Sequence, residues 1–145
     1  MDIIIATQNV INDIGSKFLM ELQPTDPIPP KGTLIQSLNE ANARLSAIMG
    51  RYAEPSFQDS ADDSLAIGDN IVYKLLLSTR KESGKIQPLT DLIHSYLVNS
   101  VLAKSYSTMG QADLASKHEN QTVSDAEVIG QLLHSKLPPY CNGNS

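Results

Sequence analysis

The stretch from Leu65 to Met109 constrains this fold most. It holds two apolar segments of helical spacing, Leu65–Arg80 and Pro88–Met109, joined by the polar break Lys81-Glu-Ser-Gly-Lys85. In the second segment Leu89, Leu92, Ile93, Tyr96, Leu97, Ser100, Val101 and Lys104 recur at three- and four-residue intervals, the mark of one helix face. Ile71, Val72, Leu75 and Leu76 supply the matching stripe on the first. Two such stripes joined by a short glycine-containing turn predict an antiparallel helical hairpin. Pro88 suits the first helical turn, where its missing N–H is no loss. The second helix then runs into Gly110-Gln-Ala-Asp-Leu-Ala-Ser-Lys-His118.

The rest of the chain extends the helical pattern. Ile3-Ile4-Ile5 is β-branched and reads either as a short strand, one that can pair across subunits, or as a hydrophobic lead-in. From Gln8, Val10, Ile11, Ile14, Phe18 and Leu22 take helical spacing. Gly15 weakens that helix by about 1 kcal/mol relative to Ala. Pro24, Pro27, Pro29 and Pro30 then make Gln23–Gly32 a stiff loop, because each removes a donor and pushes its predecessor toward extended geometry. Thr33 and Gln36 have capping-box spacing ahead of a stripe of Leu34, Leu38, Ala41, Leu45, Ile48 and Tyr52. Gly50 and Pro55 mark its end, and Asn39, Asn42, Arg44 and Ser46 are expected on a solvated face. A second capping box, Ser124 with Glu127, introduces a short stripe of Val128, Ile129, Leu132 and Leu133 that Pro138-Pro139 stops. The expected fold class is therefore all-α. It is a helical bundle of four main helices plus a short C-terminal helix, with a Pro-rich loop and an extended tail. Residues 1–136 form the single helical domain and 137–145 the tail.

Size and charge narrow the function. A chain of 145 residues is one domain by length and can bury about 68–70% of its unfolded surface. With no Trp, two Phe and five Tyr, the core is expected to be aliphatic. A net charge of −5 with scattered basic residues argues against a nucleic-acid clamp, so no sequence-specific nucleic-acid binding is expected. The lone Cys141 has no internal partner and reads as an exposed thiol. The first residues lack a basic region before their apolar run, and no stretch reaches the roughly 18 apolar residues of a membrane span. The expectation is a soluble chain made in a reducing cytosol.

Candidate chemistry is sparse. His94, His118 and His134 lie in different segments, without the close spacing of metal ligands. Asp59, Asp62, Asp63 and Asp69 do not fit a calcium loop. Asp13 with Asp26, or Glu40 with Glu54, are conceivable acid–base pairs that spacing alone does not join. The glycine-rich phosphate and nucleophile motifs do not occur. No catalytic, cofactor-binding or metal-binding residue is assigned and no enzyme is expected. Leu137, Pro138, Pro139 and Tyr140, in a tail with little to pack on its own chain, are assigned to partner binding.

Several segments carry a resemblance. They are Val10–Leu19, Leu34–Met49, the acidic Asp62–Asp69, Leu92–Ala103 and the Ala-rich Gln111–Ser116. In that order they resemble the head-to-tail adaptor (connector) proteins of tailed bacteriophages over roughly residues 8–120. The aromatics that many adaptors carry after the second helix are reduced here to Tyr52 and Phe57, and the tail beyond Val123 has no counterpart. The resemblance implies a homo-oligomer, a dodecameric ring in the virion, made in the host bacterial cytoplasm. Its partners would be the portal protein and a tail protein, and DNA would pass through its lumen. Two other readings stand beside it. One is a helical interaction or regulatory module. The other is a small enzyme with a His–Asp pair joined by folding, which requires a pocket that holds at least two of His94, His118, His134 and the acidic loop, with a perturbed pKa.

Overall fold

The computed structural model describes residues 2–50, 53–58, 70–75 and 86–134. In chain order the elements are β1 (Asp2–Ala6), α1 (Thr7–Glu21), α2 (Lys31–Met49), β2 (Ala53–Gln58), β3 (Asn70–Leu75), α3 (Ile86–Thr108) and α4 (Ala112–His134). Helix predominates, as the apolar spacing implies. The three strands form one antiparallel sheet in the order β1-β3-β2.

The sheet replaces part of the expected hairpin. Residues 70–75 are strand, not the middle of a helix over Leu65–Arg80. Ile71-Val72-Tyr73 is a β-branched and aromatic run buried on both faces, so it lacks the alternation that distinguishes a strand from a helix. Its partners settle the matter. Ile3 faces Tyr73, Ile4 faces Val72 and Ile5 faces Ile71 across the β1–β3 ladder. Ile3-Ile4-Ile5 is thus a strand paired within its own chain. Ile3 and Ile5 point into the core and Ile4 is 55% exposed.

The helical hairpin that is present is a different one from the expected pairing of Leu65–Arg80 with Pro88–Met109. α3 folds back against α4 through a tight turn at Gly110, whose φ of 79° is the left-handed conformation that glycine adopts freely. There Gln111 N–H donates to Tyr106 O at 2.8 Å, the bond of a helix-ending Schellman turn. α4 is continuous from Ala112, so Ser124 lies within it and begins no separate helix. α2 starts at Lys31 with Pro30 before it, two residues ahead of the expected cap at Thr33. Gly50, with φ of 55°, closes α2 and donates its N–H to Ser46 O.

α3 is the centre of the molecule and packs on α1, α2, α4 and β1. Leu89, Ile93, Leu97, Val101 and Leu102 are fully buried there. The core is less purely aliphatic than composition implies, since Phe18, Tyr73 and Tyr106 are among its largest buried side chains. Tyr73, on the inner face of β3, donates its hydroxyl to Asn42 Oδ1 of α2. Asn42 is only 3% exposed, which corrects its expected place on a wet face. A buried phenol needs an acceptor, and Asn42 supplies one. The tail residues 137–145, including Leu137, Pro138, Pro139 and Tyr140, the acidic stretch from Asp59 to Asp69, and Tyr52 lie outside the described residues.

Candidate functional site

Polar side chains converge where α1 meets the α3–α4 hairpin. α1 brings Glu21 there because Ile11, Ile14, Phe18 and Glu21 share one helix face, so the carboxylate takes the next place on a core stripe. Its side chain is 10% exposed. His118 of α4, with a side chain 4% exposed, sets Nε2 2.8 Å from Glu21 Oε1 and 3.1 Å from Oε2. Tyr106 of α3 donates its hydroxyl to Glu21 Oε1 at 2.8 Å, and Lys117 donates from Nζ to Oε2 at 2.7 Å. The other nitrogen of His118, Nδ1, lies 2.7 Å from Asn99 Oδ1. The Asn99 amide nitrogen donates to Ser95 O and Oγ, which turns its oxygen toward the ring. Both histidine nitrogens therefore face acceptors.

The rings fix the geometry. Tyr106 meets Phe18 edge to face with centroids 5.7 Å apart, and stacks on His118 at 5.5 Å. Burial works against a charge on Glu21, but the hydrogen bonds from Lys117, His118 and Tyr106 outweigh it and hold its carboxyl down at about 2. Burial, together with the hydrogen bond to Glu21 and its charge, pushes the Tyr106 phenol above its usual range.

Beside this cluster lies a groove of about 440 Å³, bordered by Asp13, Lys17, His94, Asn99, Lys117 and His118. At its rim His94 Nε2 meets Asp13 Oδ2 at 2.5 Å, tying α3 to α1. Ser95 Oγ donates to Asp125 Oδ2 at 2.6 Å, and Gln121 Nε2 donates to Asp125 Oδ1 at 2.9 Å. Folding thus brings His94 and His118 to one groove, which the sequence left open. It joins Asp13 to His94 and not to Asp26, whose carboxylate accepts the Gln23 N–H. Glu40 lies 3.8 Å from Lys104 in a surface ion pair. The side chains of Glu54 and His134 are outside the described residues.

Within the Glu21 cluster the side chains are arranged to hold one another. A carboxylate with a pKa near 2 and three donors is a weak base, and a phenol raised above its ordinary value is a poor nucleophile. Ser95 gives its proton to Asp125, not to a histidine. Among the described residues no group of three His, Cys, Asp or Glu side chains is placed to hold a metal ion. Likewise no described helix is long and apolar enough to cross a membrane. Glu21, Asn99, Tyr106, Lys117 and Asp125 were not singled out by sequence. The available signal was a polar residue on an apolar stripe, as with Glu21 after Phe18 and with Asp125 ahead of Ile129. Comparison with known protein families, curated proteins and solved structures finds no match for this chain.

Proposed function

We propose that this chain is a non-catalytic assembly subunit, specifically a phage head-to-tail adaptor that forms a ring between portal and tail through which DNA passes. The observation that carries the reading is a pair of adjacent exposed apolar side chains near the end of α1. Leu19 is 79% exposed and Met20 76%, and Ile28 in the following loop is 53% exposed. Isolated exposed hydrophobics are ordinary, but two long neighbours left in water on a stable helix are what an interface uses. The polar cluster supports the same reading from the other side. Its charges are matched inside the subunit, so it braces α1 against α3 and α4. The net charge of −5 suits a channel wall that must not retain DNA.

Light scattering tests the proposal, with the 15.7 kDa chain alone and then mixed with portal rings. An adaptor is expected to join the portal in a fixed multiple of subunits. A monomer or dimer that ignores every portal offered would overturn the reading and leave a helical interaction module in its place.

A further inference from the structure

We infer that His118 is held as an imidazolium, with a hydrogen on both ring nitrogens, and that it acts as a proton-operated latch on the last turn of α1. The directions of the hydrogen bonds around it require the second hydrogen. Ser95 Oγ has one hydrogen and gives it to Asp125 Oδ2 at 2.6 Å. Toward Asn99 it therefore offers only a lone pair. The Asn99 amide nitrogen lies 3.2 Å from Ser95 Oγ and 2.9 Å from Ser95 O, and donates to both. Turning the amide over would set its oxygen against that carbonyl oxygen with no hydrogen between them. Asn99 Oδ1 is thus fixed toward His118 Nδ1, 2.7 Å away. An amide oxygen only accepts, so Nδ1 carries a hydrogen. On the opposite side Nε2 lies 2.8 Å from Oε1 of Glu21, a carboxylate that already accepts from Tyr106 and Lys117. It has no hydrogen to give, so Nε2 carries one as well.

Neutral imidazole has a single N–H, so losing a proton leaves a lone pair facing either Asn99 or the Glu21 carboxylate. The ring is 4% exposed, and an unmade bond at that depth is costly. The Tyr106 ring, stacked with its centroid 5.5 Å away, favours the cation. Titratable and charged groups face the ring from three helices. They are Asp13, Lys17 and Glu21 of α1, His94 and Tyr106 of α3, and Lys117 of α4, with Asp125 of α4 reached through Ser95 and Asn99. Asn99 is locked by Ser95, so the mismatch after proton loss falls on Glu21. Glu21 is the last residue of α1, directly after Leu19 and Met20. Proton loss therefore loosens the turn that carries those two exposed apolar side chains, and proton binding shuts it. The latch lies within one subunit and stands whether or not the chain assembles.

Nitrogen-15 NMR of the full chain between about pH 6 and pH 9 tests this. The ring nitrogen shifts of His118 report whether each nitrogen carries a hydrogen, and the amides of Phe18 to Leu22 report the last turn. Both ring nitrogens are expected to be protonated at the acid end. The amides should change in step with loss of the second ring hydrogen. Their exchange with solvent, corrected for the intrinsic effect of pH, should rise about tenfold or more at that step. Asn99→Ala lets Nδ1 become the bare nitrogen, so Nε2 keeps its hydrogen on Glu21 and the step should vanish. His94→Gln removes the neighbouring ring and its tie to Asp13, and should leave the step in place. Circular dichroism checks that both variants fold, and if Asn99→Ala does not, the wild-type ring signals decide. A wild-type ring with one hydrogen throughout, or a last turn indifferent to loss of the second, would overturn the inference. So would an Asn99→Ala chain that keeps the step, or a step that disappears with His94.

Discussion

Glu21 shows how much one side chain can hold. Replacing it with Gln keeps the shape but leaves His118, Tyr106 and Lys117 without their shared anion. The expected loss is about 2–3 kcal/mol, read as a fall in the denaturant midpoint. The same residue sets an acid limit. Its folded carboxyl, at about 2, binds a proton more weakly than the unfolded carboxyl near 4.5. Its contribution is therefore complete above about pH 5 and is lost as pH falls from 4.5 toward 2. Urea titrations at pH 6 and pH 3 should show a smaller loss on acidification for Glu21→Gln than for wild type. An equal loss in both would assign the acid limb to other carboxylates. Part of this site was legible. A carboxylate at the next place after Ile11, Ile14 and Phe18 must be buried or end the stripe, and here it is buried. Its partners were not legible, because Tyr106 and His118 lie 85 and 97 residues away and only the tertiary fold brings them to it.

Between elements, the contact from Tyr73 to Asn42 fastens the sheet to α2. Tyr73→Phe alone strands the Asn42 carbonyl in the core, and Asn42→Leu alone strands the phenol. Each should cost about 1–3 kcal/mol, while the double variant should lose less than the sum. Additive losses in thermal melts would show that the two groups act separately. At the α3–α4 turn, Gly110→Ala forces a side chain into left-handed backbone and is expected to cost about 1 kcal/mol, whereas the same change at helical Gly15 should be neutral or stabilising. The helices were readable because periodicity needs only local sequence. Leu34, Leu38, Ala41 and Leu45 mark α2 without any knowledge of its neighbours. β3 was misread because Ile71, Val72 and Tyr73 are all buried, which erases the two-residue alternation that separates strand from helix. The same blindness placed Asn42 in water, since its partner arrives from a strand the sequence did not reveal.

For the molecule as a whole, one core cluster joins β1 to the helices through Ile3 and Ile5. Those β1 amides that bond to β3 should accordingly exchange with solvent only when the whole core opens. Hydrogen exchange that releases β1 well before α3 would show the strand to be a separate, weaker unit. The placement of β1 also has a consequence in time. Its ladder partner, Asn70–Leu75, emerges from the ribosome long after Ile3 and Ile5 do. At translation rates of about 5–20 residues per second, these isoleucines wait roughly 4–14 s with nothing to pair against. β1 is thus made well before the strand that completes its ladder, and during that interval its apolar face is open to chaperones and to other nascent copies.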